Sequence, residues 1–269
     1  MRRSRLSVYV ASLLLAVGTA LTGAATAQAA DSAAIGGYVA LGDSYSSGLG
    51  SGSYIGSSGD CKRSTKAYPY LWAAANSPSS FDFTACSGAR TGDVTASQLG
   101  PLSSATALVS ISIGGNDAGF ADIMTTCVLQ SDSACVSRIN TAKAFVDSTL
   151  PGRLETVYSA IRAKAPSAHV VVLGYPRFYK LGVSGCLGLS ETKRKALNGA
   201  ADYIDAATEK RALNHGFAFG DVRTTFTGHE LCSGSSWMHA INWLNIPESY
   251  HPTAAGQSGG YLPVLNSAA

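Results

Sequence analysis

The chain has 269 residues, 46% of them hydrophobic and 14% charged, and a formal net charge of +3 at pH 7. A chain of this size can bury one substantial core, and no Pro-rich or low-complexity linker divides it, so we predict a single domain over residues 34–269. Three arginines within the first five residues account for the positive charge. Without them the chain is neutral and has no basic stripe, so we expect no nucleic-acid partner and no polybasic attraction to anionic lipid.

Residues 1–33 predict a secretory signal peptide that is removed on export. The three arginines form its basic start, residues 6–21 are largely apolar, and Ala27-Gln28-Ala29 fits a small-residue cleavage site. Cleavage is expected between residues 29 and 33, and the twin arginines leave both the Sec and the Tat route open. A permanent membrane anchor is disfavoured because the apolar stretch is short and runs into the cleavage motif. The mature protein is therefore expected to be secreted and extracellular.

Short apolar or β-branched runs alternate with longer helical stretches along the rest of the chain. Strands are predicted over Tyr38–Leu41, Phe81–Thr84, Leu108–Ile113, His169–Leu173 and Phe217–Phe219. Helices are predicted over Tyr68–Ala75, over about residues 135–165, and over Glu191–Asn214. This alternation predicts an α/β fold of three layers, in which helices flank a doubly wound, parallel, five-stranded sheet.

The six cysteines predict three disulfides, because their number is even and the chain carries an export signal. Fifteen pairings are possible, and we favour the sequential one because each bridge then holds one long loop without crossing another. A zinc site is the alternative. It is disfavoured since the chain has no C-x-x-C motif and no histidine pair at helical ligand spacing, so we expect no metal. The favoured pairs are Cys61–Cys86, Cys127–Cys135 and Cys186–Cys232.

A serine and a histidine near opposite ends of the mature chain are candidate catalytic residues. Ser44 follows the first predicted strand in the run Gly42-Asp43-Ser44, and His251 lies near the C-terminus. A serine activated by a histidine is a common nucleophile for ester hydrolysis. The tripeptide alone is more typical of an ordinary turn, so the assignment depends on supporting residues.

Supporting residues follow the second and third predicted strands. Gly88 comes after the second strand and Asn116 after the third. Both are therefore expected beside Ser44 at the carboxyl edge of the sheet, where open α/β sheets bind their ligands. Ester hydrolysis through serine needs donors aimed at the oxygen that becomes negative. The backbone N–H groups of Ser44 and Gly88 and the side-chain amide of Asn116 can supply three such donors.

These residues, in this order, resemble the SGNH or GDSL hydrolase superfamily. Its four sequence blocks are matched by Gly42-Asp43-Ser44, by Gly88, by Gly114-Gly115-Asn116-Asp117 and by His251, and the match spans nearly all of the mature chain. The cysteines and long loops are most similar to the secreted bacterial branch that contains lipases, esterases and a phospholipase A1. The resemblance implies a flavodoxin-like SGNH hydrolase fold and hydrolysis of carboxylic esters without a metal or organic cofactor.

Two positions depart from the pattern of that family. Tyr45 replaces a leucine, which we expect to matter little because this side chain is not required for the chemistry. Glu248 stands where the family usually has aspartate, and its longer side chain needs a different approach to the imidazole. Some members of the secreted branch hold the histidine with a main-chain carbonyl, for which that of Ser249 is the candidate here. We slightly favour such a dyad over a Ser–His–Glu triad.

Other motifs are better explained as structure than as chemistry. The run Gly256-Gln257-Ser258-Gly259-Gly260 spells the nucleophile elbow of another hydrolase fold, but no predicted strand precedes it and no histidine follows it. A helical segment is favoured there, and Asp43 and Asp117 are expected to organise turns. Of the other histidines, His169 is expected to start a strand and His215 to lie at the end of a helix. His229 and His239 are expected to lie exposed in the loop before His251, and the alternative is that they line the cleft.

Two long loops, residues 175–190 and 222–250, carry apolar side chains that can contact an acyl chain or a lipid surface, with ordinary packing as an equal alternative. These are Tyr175, Phe178, Tyr179, Leu181, Ile241, Trp243, Leu244 and Ile246. The resemblance favours lipid esters, most specifically as a phospholipase A1, with a broad esterase or lipase or a carbohydrate acetyl-esterase as alternatives. A non-catalytic secreted binding module is the alternative of another class. The expected partners are an ester substrate and a transient membrane or micelle surface, and the expected state is a monomer.

Overall fold

A computed structural model of the protein describes residues 36–269. The predicted signal segment and its cleavage site lie outside the described residues. Five parallel strands form one sheet in the order β2-β1-β3-β4-β5. The strands are β1 (Gly37–Gly42), β2 (Phe81–Phe83), β3 (Thr106–Ser112), β4 (His169–Leu173) and β5 (Ala218–Gly220). Each lies within two residues of a predicted strand, so the prediction of a parallel five-stranded α/β fold is confirmed.

Helices flank this sheet. They are α1 (Ser44–Ser47), α2 (Tyr68–Asn76), α3 (Thr91–Asp93), α4 (Phe120–Leu129), α5 (Asp132–Ser148), α6 (Leu150–Lys164), α7 (Glu191–Asn214) and α8 (Leu262–Ala268). Helices α2 and α8 pack together, and α4, α5, α6 and α7 form a second packed group. The central strands are buried almost throughout, as expected for a sheet covered on both faces.

The structure corrects one predicted helix. The stretch over residues 135–165 is two helices, α5 and α6, which are separated at Thr149. Pro151 lies in the first turn of α6, where its ring is tolerated, whereas in the interior of one continuous helix it would clash with the preceding turn. The chain therefore bends at this point and adds a helix to the packed group.

The order of the strands determines where a ligand can bind. The chain runs from β1 outward to β2, and then crosses back to β3 on the other side of β1. Such a reversal opens a crevice at the carboxyl ends of the two strands that flank it, and ligands of open α/β sheets bind there. In this protein the crevice lies between the ends of β1 and β3, which are followed by Ser44 and Asn116 respectively.

Three disulfides join the cysteines in sequential pairs. Cys61–Cys86 connects a turn of the first long loop to the segment after β2, Cys127–Cys135 connects α4 to α5, and Cys186–Cys232 connects two long loops. All six cysteines are used in these bonds. Over residues 36–269, no helix combines the length and the apolar character that crossing a membrane requires.

Candidate active site

A tight turn at the end of β1 places Ser44 at the carboxyl edge of the sheet. Gly42 has a φ of +122°, and a Cβ on it would lie 2.5 Å from the carbonyl oxygen of Ser112, so glycine is required. Asp43 then caps α1, because its carboxylate accepts a hydrogen bond from the N–H of Tyr45 at 3.0 Å. Asp43 therefore organises a turn, and the turn presents the Ser44 hydroxyl in the crevice.

The structure brings Ser44 and His251 together although 207 positions separate them. The Nε2 atom of His251 lies 2.7 Å from the Oγ of Ser44, and its Nδ1 lies 3.0 Å from the main-chain oxygen of Ser249. A carbonyl oxygen can only accept, so Nδ1 carries the proton in this contact. Nε2 is then the acceptor that faces the serine hydroxyl, which is the arrangement a general base needs.

Burial keeps the imidazole of His251 neutral. The residue is only 6% exposed, and this burial lowers the pKa of His251 to about 4, even though the hydrogen bond to Ser249 acts in the opposite direction. The positive form of the nearby His239 lowers this pKa further. A neutral ring at pH 7 can accept the proton of Ser44 as soon as that oxygen attacks a substrate.

The carboxylate of Glu248 makes no hydrogen bond to His251, although the main-chain oxygen of Glu248 accepts one from the backbone N–H of His251 at 3.2 Å. Its carboxylate accepts a hydrogen bond from the hydroxyl of Tyr54 at 2.6 Å, and the Tyr54 oxygen in turn accepts one from the N–H of Gly50 at 2.9 Å. Glu248 thus connects the loop that carries His251 to the first long loop. The candidate acceptor for Nδ1 in this structure is the carbonyl of Ser249.

The residues that carry the three candidate oxyanion donors, Ser44, Gly88 and Asn116, line one groove. The N–H groups of Ser44 and Gly88 donate no hydrogen bond within residues 36–269, so both are available to a ligand. Gly88 has a φ of +79°, which glycine adopts without strain. The side-chain amide of Asn116 donates one hydrogen bond to the carbonyl of Ala89 at 3.0 Å, which leaves its second N–H for a ligand.

A buried polar network joins the strand ends that carry these groups. The carboxylate of Asp43 accepts hydrogen bonds from the hydroxyls of Ser112 and Tyr175 at 2.7 and 2.5 Å. The same Tyr175 oxygen accepts a hydrogen bond from the N–H of Gly115, next to Asn116. Burial raises the pKa of the Asp43 carboxyl to about 6 despite these bonds. The network ties the turn of Ser44 to the turn of Asn116.

Tyr45 has a positioning role that the sequence analysis missed. Its ring centroid lies 5.1 Å from that of His251, and its hydroxyl donates a hydrogen bond to the main-chain oxygen of Tyr250 at 2.8 Å. The expectation that this side chain matters little concerned the chemistry alone, and its contacts with the ring and the loop of His251 were not predicted. The spacing between Tyr45 and Tyr250 gave no signal, because 205 residues separate them.

Two apolar spaces meet at Ser44. A narrow cleft with a cavity volume of about 70 Å³ is lined by Ser44, and an open groove of about 520 Å³ is lined by Ser44, Gly88 and His251. The volume of the groove lies within the range of about 300–1,000 Å³ that is typical of small-molecule sites, and that of the cleft is smaller. Asn116 and Phe120 line both spaces. We name them the deep cleft and the open groove.

Most of the predicted apolar wall lines these two spaces. Tyr175 and Phe178 line the deep cleft, and Ile241, Trp243 and Ile246 line the open groove. Three predicted residues line neither of them, and these are Tyr179, Leu181 and Leu244.

The other predicted polar residues serve the structure. The Asp117 carboxylate accepts hydrogen bonds from Thr91 and Arg153, and Gly256–Tyr261 is a helical turn. The remaining histidines line neither the deep cleft nor the open groove. His169 contacts Ala268 and His215 contacts Glu155. His229 stacks on Trp237, and His239 contacts Gly50. Within residues 36–269, no cluster of His, Cys, Asp and Glu side chains is arranged to hold a metal ion.

Residues 40–258 match the family described as GDSL-like lipase/acylhydrolase. Over its full length the chain is 77% identical to Lipase 1 of Streptomyces coelicolor, and the match covers all of both chains. Its fold is similar to that of a phospholipase A1 from Streptomyces albidoflavus, with 69% identity, a TM-score of 0.86, and coverage of 88% of this chain and 100% of that one. An extracellular lipase from Streptomyces rimosus gives 66% identity, a TM-score of 0.85, and coverage of 87% and 100%.

Proposed function

The chain belongs to the GDSL-like lipase/acylhydrolase family and is an ester hydrolase, and we propose that it is a secreted phospholipase A1 that releases one fatty acid from a glycerophospholipid. The observation that carries this proposal is the position of the Ser44–His251 pair at the junction of two apolar spaces. A diacyl lipid needs room for two chains around the scissile ester. The 69% identity to a phospholipase A1 supports the same substrate class.

In the proposed mechanism Ser44 and His251 carry out the chemistry. The Ser44 oxygen attacks the ester carbonyl carbon while His251 Nε2 accepts the serine proton. The carbonyl oxygen becomes negative and is stabilised by the N–H groups of Ser44 and Gly88 and by the amide of Asn116. When this intermediate collapses, His251 donates the proton to the leaving alcohol. A water molecule then attacks the acyl-enzyme with His251 again as base, which releases the fatty acid and restores Ser44.

The carbonyl of Ser249 orients His251 in this mechanism. It holds the N–H of Nδ1 at 3.0 Å, so Nε2 is fixed as the proton acceptor, and it stabilises the imidazolium that forms. Glu248 serves instead to hold the loop through Tyr54. The catalytic unit we propose is therefore a dyad with a main-chain acceptor.

The lining of the site favours a lipid over an acetylated carbohydrate. The deep cleft is bounded largely by apolar side chains, including Ile123, Met124, Val146 and Leu197. An acetyl group would leave most of this apolar surface uncovered, whereas a long acyl chain removes it from water at about 0.8 kcal/mol per methylene group.

The rim of the open groove supports docking to a lipid surface. Trp243 and Leu129 line the groove yet are 69% and 68% exposed, and Leu244, between Trp243 and the half-exposed Ile246, is 99% exposed. Large apolar side chains grouped around a substrate entrance are typical of contact with another apolar surface. Because the mature chain is neutral, we expect this contact to depend on apolar insertion more than on charge. The disulfides and the predicted signal peptide support secretion.

Product analysis on three defined esters tests the substrate class. The purified protein is incubated with a diacyl phosphatidylcholine that carries different chains at its two positions, with a triglyceride, and with an acetylated sugar. We expect release of the sn-1 chain, and we expect Ser44→Ala to abolish both hydrolysis and labelling by a fluorophosphonate. Release confined to acetate from the sugar would contradict the proposal, and so would labelling of a folded Ser44→Ala protein.

The surface contact has its own test. Trp243→Ala and Leu244→Ala should weaken hydrolysis of phosphatidylcholine vesicles by about tenfold or more, since each removes up to about 1.5–3 kcal/mol of apolar burial in the lipid. Hydrolysis of a short water-soluble ester should change little. Leu187→Ala is the matched control, because Leu187 is 91% exposed but lines neither space. Equal losses on vesicles and on the soluble ester would exclude a role in docking.

A further inference from the structure

We propose that the deep cleft holds the acyl chain that is released, and that the pair Lys143–Tyr203 in its lining limits the length of this chain. The proposal rests on the catalytic roles proposed for Ser44 and His251. It assigns each of the two spaces to one side of the scissile ester, and it names two residues that determine specificity. The assignment follows from the position of the two spaces relative to the proton donor.

The leaving alcohol must lie on the side of His251, because His251 delivers its proton. His251 and Gly88 line the open groove but not the deep cleft. The alcohol part of the substrate, with its head group and second chain, is thereby placed in the groove. The acyl chain extends from the same carbonyl carbon in the other direction. The deep cleft is the other space that Ser44 and Asn116 line, so we assign the acyl chain to it.

Small side chains keep the cleft open between helices α5 and α7. These helices pack against each other, and Ala142 on α5 and Ala200 and Ala201 on α7 line the space between them. Close packing would normally fill such a position with larger side chains, because an unfilled apolar cavity costs stability. A narrow apolar space at this point fits an unbranched hydrocarbon chain.

Lys143 and Tyr203 form a polar contact between the two helices, and we call this pair the latch. The Nζ atom of Lys143 on α5 lies 5.2 Å from the ring centroid of Tyr203 on α7. The Tyr203 hydroxyl donates to both carboxylate oxygens of Asp147, at 2.7 and 2.9 Å. Lys143 and Tyr203 also line the cleft itself. The ω-end of a longer chain would have to displace this latch and enter water, so the latch sets the longest chain that is fully buried.

A series of p-nitrophenyl esters from C2 to C16 tests the assignment without phospholipid. Ala200→Phe inserts a ring into the cleft and should leave C2 and C4 hydrolysis within about twofold. For each methylene that no longer fits, kcat/KM should fall by about fourfold. Ala142→Leu is a milder version should Ala200→Phe fail to fold. Val128→Phe is the matched control: Val128 lines only the open groove, where the alcohol part is placed, so this variant should change kcat/KM by a similar factor for every ester of the series.

Variants of the latch should shift specificity the other way. Lys143→Ala and Tyr203→Ala should raise kcat/KM for the longest esters of the series relative to C8, whereas Tyr203→Phe, which loses only the link to Asp147, should have a smaller effect. A chain-length profile that responds to Val128→Phe but not to Ala200→Phe or Ala142→Leu would overturn the assignment. If the protein cleaves these esters but no phospholipid, the proposed function is refuted. The cleft variants then still show whether the deep cleft holds the acyl chain.

Discussion

The protonation state of His251 is set mainly by its burial. A buried imidazole loses the hydration that favours its charged form, so the pKa of His251 falls from 6.5 to about 4. The ring is then neutral over the whole range in which most esterases are assayed. A neutral ring can act as general base without first losing a proton, so the enzyme should keep its activity in mildly acidic solution.

The pH dependence of kcat/KM follows from this shift. For a soluble uncharged ester, kcat/KM should be constant from neutral pH down to about pH 5 and should fall tenfold per pH unit below about pH 4, where His251 is protonated in the free enzyme. The pKa of Asp43, near the same site, is raised to about 6. An inflection near pH 6 that disappears in Asp43→Asn belongs to Asp43. An acid limb centred at pH 6.5 in both proteins would contradict the buried-base interpretation.

Asn116 is expected to act mainly in the transition state. Asn116 lines the groove and has one amide N–H that Ala89 does not use, and the negative oxygen forms only after Ser44 attacks. Asn116→Ala should therefore lower kcat by about 10²–10³ and change KM little. Steady-state kinetics on a soluble ester gives both parameters. If KM alone rises, Asn116 binds the ground state and is not an oxyanion donor.

Replacement of Glu248 separates a dyad from a triad. Because its carboxylate accepts from Tyr54 and makes no hydrogen bond to His251, Glu248→Gln should keep activity within about tenfold, or about 1.4 kcal/mol of barrier. A triad acid would lose about 10⁴ in turnover on the same change, by analogy with a serine protease. Tyr54→Phe, which removes the donor to Glu248, should behave like Glu248→Gln. His251→Ala should be nearly inactive in either case.

One buried hydroxyl, that of Tyr175, connects the segments that follow three of the strands. Tyr175 follows β4, its oxygen donates to Asp43 after β1, and it accepts from the N–H of Gly115 after β3. The turn of Ser44 and the turn of Asn116 are thus held relative to each other by the Tyr175 hydroxyl, which takes no part in bond making. Buried polar networks of this kind fix geometry only when all of their members are satisfied.

Tyr175→Phe should reduce both stability and turnover. The change leaves a buried carboxylate oxygen and a backbone N–H with one partner fewer, which costs about 1–3 kcal/mol. Chemical denaturation measures this loss, and kcat on a soluble ester should fall with little change in KM. Tyr158→Phe is the control, because the hydroxyl of Tyr158 is buried and has no hydrogen-bond partner within residues 36–269. Its removal should be neutral or stabilising, and equal losses in both variants would argue against the network.

The strands could be predicted because buried parallel strands appear as short apolar runs between turn residues. Helix α4 was not predicted, since it begins directly after the small and polar run of residues 114–119, which indicates a loop and ends at Gly119 in the left-handed conformation with a φ of +84°. The break at Thr149 was missed because the apolar periodicity continues through it, although Pro151 was a usable signal.

The candidate site divides in the same way. Ser44, Gly88 and Asn116 were predictable because each follows a strand, and strand order brings their turns to one crevice. The partners of Tyr45 and Glu248 depend on how loops of more than a dozen residues fold over that crevice. The deep cleft depends on the spacing of α5 and α7. Neither property is encoded in a local pattern.

The disulfides stabilise a fold in which several loops have little regular structure. Each is expected to contribute about 2–5 kcal/mol to the free energy of unfolding, chiefly by restricting the unfolded chain. The bridges Cys61–Cys86 and Cys186–Cys232 enclose loops of 25 and 46 residues. Loop closure alone therefore separates their contributions by only about 0.5 kcal/mol. The two bridges form a matched pair, in which Cys61–Cys86 ends two residues before Gly88 and Cys186–Cys232 lies far from it along the chain.

Removal of Cys61–Cys86 should affect catalysis as well as stability. The N–H of Cys86 donates to the carbonyl of Gly42, and the N–H of Ser87 donates to the carbonyl of Cys61, so this bridge holds the segment that presents Gly88. The double variant Cys61→Ala/Cys86→Ala should lose stability and, at temperatures far below its Tm, should also have a lower kcat. Cys186→Ala/Cys232→Ala should show a similar loss of stability with kcat nearly unchanged. Equal kcat values in the two folded double variants would show that the turn at Gly88 is held without its disulfide.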